Sequence, residues 1–77
     1  MKHPDADKIR LYGVVGETLH AMRLSHGLSL PALAKRSGVA ESQLSKIEGG
    51  FACPLHVLVS LADVYDATLD DLVPVLV

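Results

Sequence analysis

Hydrophobic residues recur at helical spacing along most of the chain, whereas no segment alternates with the period of a β-strand. A first helix is predicted from about Asp7 to His26, and Gly27 is placed to end it. Gly13 and Gly16 lie inside this helix, where a glycine costs up to about 1 kcal/mol relative to alanine. The apolar stripe of the helix consists of Leu11, Val15, Leu19 and Met22.

Two short helices are predicted next, separated by a tight turn. Ser29 is a candidate N-cap of the first, because its hydroxyl can accept a hydrogen bond from an unpaired amide of the first turn. Gly38 is placed to end that helix, and the second runs from about Glu41 to Glu48 before a glycine pair. The residues predicted to face inward are Leu30, Leu33 and Ala34 in the first helix and Leu44 and Ile47 in the second.

A fourth helix is predicted from Pro54 to about Tyr65, and it is apolar around most of its circumference. Thr68 and Asp71 have the spacing of a capping box, which predicts a short fifth helix that ends or kinks at Pro74. The chain is therefore predicted to be all-α, a compact bundle of five short helices.

The composition is that of one small domain. With 77 residues and 49% hydrophobic positions, the chain can build a single core, predicted over residues 8–77 after a flexible N-terminal arm of residues 1–7. A lone cysteine, Cys53, excludes an intrachain disulfide. No segment has the pattern of a secretory leader or reaches the ~18 apolar residues that span a bilayer. We therefore expect a cytoplasmic protein without a membrane partner.

Charge is unevenly distributed along the chain. Residues 1–53 contain all seven Lys and Arg against five acidic residues, a balance of +2, whereas residues 54–77 contain four acidic residues and no Lys or Arg, a balance of −4. These values add to the net charge of −2. A polyanionic partner is therefore expected to contact the first two-thirds of the chain.

Two short helices joined by a turn that contains glycine form a helix-turn-helix, whose second helix can enter the major groove of DNA. The stretches "HGLS", "LAKRSGVA", "QLSKIEGG" and "LVSLADVYDATLDDL" occur in the order typical of one family. With them, the chain resembles the XRE-type helix-turn-helix family of phage repressors and Cro, whose domains have the lambda-repressor-like fold. The resemblance implies a five-helix domain, usually dimeric, that binds double-stranded DNA and represses or activates transcription.

The resemblance also implies roles for individual residues. Base edges would be contacted from the start of the second short helix and one turn further on, by Ala40, Glu41, Ser42 and Lys46. Contacts to phosphates or flanking positions would come from Ser29, Leu30, Lys35, Arg36, Gln43 and Ser45. The chemistry is suitable, because lysine can donate to guanine, serine can donate or accept, and glutamate can accept from cytosine. Arg23 and Glu48 match a structural salt bridge of the family that orients the second helix.

An alternative function is a protein-interaction module, antitoxin-like or regulator-binding, with weak DNA binding. Three features favour it: the net negative charge, Leu30 where the family often has glutamine, and the acidic Glu41 on the DNA-facing helix. Repression is the simplest action of the leading hypothesis, because a bare DNA-binding domain can block polymerase.

The apolar content exceeds the needs of one small core, which predicts a homodimer. The candidate dimer surface comprises Val57, Leu61, Val64, Val75, Leu76 and Val77. Cys53 and His56 have the spacing of half a zinc site, but no second pair follows, so we expect no metal and no other cofactor. No nucleophile with a base at a recognised spacing occurs, and we expect no enzymatic activity.

Overall fold

The computed structural model describes the backbone of residues 4–73 and the side chains of residues 10–73. This part of the chain contains five α-helices and no strand, so the predicted all-α fold class is confirmed. In chain order the helices are α1 (Pro4–Ser25), α2 (Leu30–Ser37), α3 (Glu41–Glu48), α4 (Leu55–Tyr65) and α5 (Leu69–Leu72).

Helix α1 begins earlier than predicted, at Pro4 rather than at about Asp7. Proline is favoured in the first turn of a helix, because its fixed φ suits the helix and because amides of that turn have no partner within the helix. Residues 4–7 of the expected N-terminal arm are thus helical, and residues 1–3 lie outside the described part of the chain.

Local capping accounts for the boundaries of the shorter helices. The Ser29 hydroxyl accepts a hydrogen bond from the Ala32 amide at 3.2 Å, and Gly38 ends α2 with a φ of 74° that favours glycine. The capping box of α5 is also confirmed, since the Thr68 hydroxyl and the Asp71 carboxylate each bind the other residue's amide. Sequence therefore determines where α2 and α5 start.

Residues from all five helices form one hydrophobic core. Val15 and Leu19 of the predicted α1 stripe are buried, while Leu11 and Met22 are half-buried and pack against the core. The other buried hydrophobic residues are Leu33, Val39, Leu44, Ile47, Val57, Leu61, Ala62, Tyr65, Leu72 and Val73.

Helix α1 and the end of α3 approach each other at Gly16. A Cβ atom at this position would lie 2.6 Å from the Ile47 carbonyl oxygen and 2.9 Å from that of Glu48. Only a glycine allows this approach, so Gly16 offsets its poor helix propensity by permitting close packing. A Cβ atom at Gly13, by contrast, would meet nothing within 4 Å.

The candidate dimer surface on α4 requires a correction. Val57 and Leu61 are each 1% exposed and belong to the core, so neither can contact a second copy while the domain is folded. Val64 is half-buried, and residues 75–77 lie outside the described part of the chain. Leu55, at the start of α4, is 66% exposed.

A small apolar pocket of about 140 Å³ opens between α1 and α4, lined by Leu11, Tyr12, Val15, Cys53, Leu58 and Val73. Burial beside these groups raises the pKa of the Cys53 thiol to about 11. Among the described residues, no three His, Cys, Asp or Glu side chains form a cluster that could hold a metal ion. None of the helices described has the length and hydrophobicity needed to cross a membrane.

Candidate nucleic-acid interface

A three-residue turn, Gly38 to Ala40, joins α2 to α3, and the two helices pack against each other. Val39 is buried in this turn, and the inner faces of the two helices contribute Leu33 and Leu44, each 1% exposed. These contacts fix α3 against α2, so that one side of α3 is buried and the other faces outward. The arrangement is a helix-turn-helix.

The exposed residues of α3 share its outer face. Glu41, Ser42, Ser45 and Lys46 are exposed, whereas Leu44 and Ile47 point into the core. Because residues three and four apart are neighbours on a helix, Glu41 lies beside Ser45, and Ser42 lies beside both Ser45 and Lys46. Three residues expected to contact base edges are therefore together, and Ser45 lies among them.

The start of α3 has no side-chain cap. Ala40 occupies the N-cap position, is exposed, and provides no hydroxyl to the first amides of the helix. Glu41 places a carboxylate in the first turn, where the helix dipole favours negative charge. The amides of this turn remain available to another hydrogen-bond acceptor.

The residues expected to flank the interface differ in exposure. Lys35 and Arg36 are exposed in the last turn of α2, and Ser29 is exposed at its start. Leu30 is half-buried and packs against the core, and Gln43 is half-buried on the edge of α3. The structure thus leaves two cationic side chains on α2 accessible, whereas Leu30 is held largely by the core.

The cations of the two helices form no ion pair within the described part of the chain. The side chains concerned are Lys35, Arg36 and Lys46, and the ion pairs between described residues involve only His20, Arg23 and Glu48. None of these three cations is therefore paired directly with a carboxylate of the described residues.

The structure brings Arg23 and Glu48 together as an ion pair. The Arg23 Nε donates to Glu48 Oε2 at 2.8 Å, and its Nη2 donates to Oε1 at 3.0 Å, so the guanidinium binds the carboxylate with two nitrogens. Its Nη1 donates to the Leu28 carbonyl at 3.0 Å. The side chains are only 11% and 10% exposed, and they join α1, the loop before α2 and the end of α3.

The charged state of this pair is favoured in the fold. Burial alone would raise the pKa of Glu48, but hydrogen bonds from Arg23 and then His20 outweigh it and hold the pKa below its ordinary value. The hydrogen bond to Glu48 in turn raises the pKa of Arg23. The carboxylate is therefore ionised under neutral conditions and anchors the end of α3.

His20 is a member of the cluster that the sequence-based reasoning missed. Its Nδ1 lies 2.7 Å from Glu48 Oε1 and 3.2 Å from Arg23 Nη2, and its side chain is half-exposed. The available signal was its spacing, three residues before Arg23 on the same helix face.

Tyr65 lies next to this cluster at the end of α4. Its hydroxyl is buried and has no hydrogen-bond partner among the described residues, and its ring lies 4.9 Å from that of His26 between centroids. Burial, together with the negative charge of Glu48, raises the pKa of Tyr65 to about 12. The tyrosine therefore acts as an uncharged packing group.

The fold and the paired short helices define the class, a helix-turn-helix domain. Residues 14–76 match the family model described as helix-turn-helix domain, and the chain belongs to this family. The expected XRE-type resemblance is thereby confirmed. No curated protein sequence shows significant similarity to the chain.

Among solved structures, the crystal structure of an HTH_3 family transcriptional regulator from Vibrio cholerae is similar to this chain. The two share 29% sequence identity with a TM-score of 0.78, over 84% of this chain. The similar region spans only 37% of that regulator, so the likeness concerns one part of a longer protein.

Proposed function

We propose that this chain is a sequence-specific DNA-binding regulator that acts as a dimeric repressor, with α3 in the major groove of its operator. One observation carries the proposal: the exposed side chains of α3 share the outer face of the second helix of a helix-turn-helix. The family match and the likeness to a transcriptional regulator support DNA as the partner.

The chemistry of the α3 face suits readout of base edges. Lys46 can donate to guanine O6 and N7, Ser42 and Ser45 can donate or accept, and Glu41 can accept from cytosine N4. The Ala40 methyl group can contact a thymine methyl group. We assign Ser45 to this group because it lies on the same face, one turn after Glu41.

Contacts to the phosphate backbone would come mainly from α2. Lys35 and Arg36 are exposed and free of ion pairs within the described residues, and Ser29 offers a hydroxyl at the start of α2. Gln43 reaches the edge of α3 and can contact a flanking phosphate. With so few cations, the number of phosphates neutralised per subunit is small.

Dimerisation follows from the small size of the reading surface. A single helix with four exposed side chains can specify only a few base pairs, whereas a regulator must distinguish its operator from about 10⁶ or more competing sites. Two copies related by a two-fold axis would place their α3 helices about 34 Å apart on a palindromic site. Such a dimer on a promoter represses by excluding polymerase.

The test is selection from a random duplex library at low salt, followed by titration of the enriched duplex. We expect a palindromic consensus bound far more tightly than random duplex, and a loss of about tenfold or more on Lys46→Ala. Arg10→Ala is the matched control, since it removes an exposed cation outside α2 and α3. Absence of enrichment would contradict the proposal and leave the protein-interaction module as the function of this scaffold.

A further inference from the structure

The outer face of α4 is a second exposed surface, separate from the proposed DNA interface. Leu55 and Val59 lie one turn apart and are 66% and 53% exposed, and Asp63 follows one turn later. Asp66, at the C-cap, is exposed as well. We call these four residues the α4 face, which is apolar in its first half and acidic in its second.

The apolar half of the α4 face is not needed by the core of the domain. The opposite side of the helix already buries Val57, Leu61 and Tyr65. Phe51, in the loop before α4, is 64% exposed and adds a further large apolar side chain near the start of the helix. Single exposed apolar residues are ordinary, but a run of them on one helix face indicates an interaction surface.

The charge around the α4 face identifies the kind of partner. Residues 47–73 contain no Lys or Arg, so no cation of this segment neutralises Asp63 and Asp66. The carbonyl end of α4 adds partial negative charge at the same place. Apart from these acids, His56 is the titratable group exposed on this helix.

If two copies of the chain met through their α4 faces, each would present the same acidic residues to the other, and residues 47–73 would supply no cation to compensate them. A cationic partner instead gains both burial of the apolar half and attraction to the acidic half. Charge complementarity therefore favours a different protein as the occupant.

We propose that the α4 face binds a cationic amphipathic helix of another protein. The apolar stripe of that helix packs on Leu55 and Val59, and its lysines or arginines pair with Asp63 and Asp66 one to two turns away. Four residues are far fewer than the roughly 20–30 per side of a standard interface, so the complex is weak and reversible. This binding is independent of DNA contact through α3.

The proposal is tested with a fluorescein-labelled designed peptide of roughly 14 residues, about four helical turns, with a leucine stripe flanked by lysines. A second peptide has the same leucines and glutamates in place of the lysines. Fluorescence anisotropy at moderate salt should show saturable binding of the lysine peptide to the whole chain, and at least about tenfold weaker binding of the glutamate peptide.

Variants locate the binding surface. Val59→Ser and Asp63→Asn should each weaken binding of the lysine peptide several-fold, whereas the matched controls Leu24→Ser and Glu17→Gln should not, because they change exposed residues of α1. Helicity by circular dichroism and binding to the enriched duplex should be unchanged in Val59→Ser. The DNA measurement thus separates failure of this proposal from failure of the proposed function.

Three results would overturn the proposal. The first is that neither peptide binds, or that both bind equally. The second is that the α1 controls weaken binding as much as the α4 variants do. The third is concentration-dependent self-association in sedimentation that Val59→Ser abolishes, which would make the occupant a second copy of this chain.

Discussion

Arg23 stabilises the domain because its side chain connects three segments, α1, the loop before α2 and the end of α3. It binds the Glu48 carboxylate at the end of α3 and the Leu28 carbonyl before α2, and its own backbone belongs to α1. Because both charged side chains are about nine-tenths buried, removal of either one leaves the other in a desolvated position without its main charge partner. Glu48 would then keep only His20, and Arg23 only His20 and the Leu28 carbonyl. The pair therefore matters most for orientation of α3.

We expect Arg23→Ala to lower the free energy of unfolding by about 3 kcal/mol, since the Glu48 carboxylate remains largely buried with only the half-exposed His20 as a partner. Arg23→Lys should have an intermediate effect, because an ammonium keeps the charge but cannot reproduce the two-nitrogen contact. Urea denaturation followed by circular dichroism measures both. Arg36→Ala, at an exposed site, is the control and should change stability by less than about 0.5 kcal/mol. Equal stability of Arg23→Ala and wild type would show that the pair does not support the fold.

Glu48 should make the domain sensitive to acid. Its pKa is lower in the fold than the ordinary value of 4.5, so its contribution is present above that value and is lost as the pH falls through the lower folded pKa. Glu48→Gln is less stable at neutral pH, but its free energy of unfolding should fall less steeply between about pH 5 and pH 3. Denaturant titrations across this range measure the slope. Ser45→Ala should keep the wild-type slope, since it changes an exposed residue of α3 and removes no titratable group. A parallel slope in Glu48→Gln would contradict the role assigned to this carboxylate.

The Arg23–Glu48 pair was expected only because the chain resembles a family. The contacts of this pair with His20 and with the Leu28 carbonyl were not predicted. The spacing places His20 on the same side of α1 as Arg23, but it does not indicate that Nδ1 meets Glu48, since that contact depends on how α1 crosses α3. The contact of Arg23 with the Leu28 carbonyl depends on the path of the loop that follows α1. The pattern of side chains along one helix fixes a face, but the crossing of two helices determines what that face meets.

Gly16 lowers the helix propensity of α1 but permits its close packing against α3. By propensity alone it weakens α1, yet its missing side chain lets the backbone of α1 lie against the last carbonyls of α3. Gly13, one turn earlier, has no such neighbour. The two glycines are thus a natural comparison between propensity and packing.

We expect Gly16→Ala to destabilise the domain by about 1–3 kcal/mol, because its Cβ would overlap backbone oxygens that cannot rotate away. Gly13→Ala should stabilise by up to about 1 kcal/mol, since it improves helix propensity without a clash. Thermal and urea unfolding of the two single variants give the comparison directly. If both variants were stabilised, the close contact between α1 and α3 would be absent in solution.

Helix boundaries were more predictable than helix orientation. Ser29, Gly38 and the Thr68 capping box act within a few residues of their own position, so sequence alone determined these ends. The orientation of α4 was not predictable in this way, because an almost wholly apolar helix offers two equivalent inner faces. Packing against the other helices buried Val57 and Leu61 and left Leu55 outside.

Charge separation connects the proposed DNA contact with the proposed protein contact. The basic residues of α2 and α3 lie in the first part of the chain, and the acids around the α4 face lie in the last part. A polyanion is attracted to one part and repelled by the other, which favours one orientation of the domain on DNA. The acidic α4 face would then remain available to a cationic partner.

Salt dependence of DNA binding measures which charges contact phosphates. The logarithm of the association constant falls with the logarithm of salt concentration by about 0.9 for each phosphate neutralised on duplex DNA. Replacing Lys35, Arg36 and Lys46 together by alanine should therefore flatten the slope by up to about 3 per subunit, depending on how many of the three contact phosphate rather than bases. Asp63→Asn with Asp66→Asn is the control, and it should raise affinity slightly at low salt with the slope nearly unchanged, because those carboxylates release no counterions from DNA. An unchanged slope in the triple variant would place the phosphate contacts elsewhere on the domain and would contradict an orientation in which α2 and α3 face the duplex.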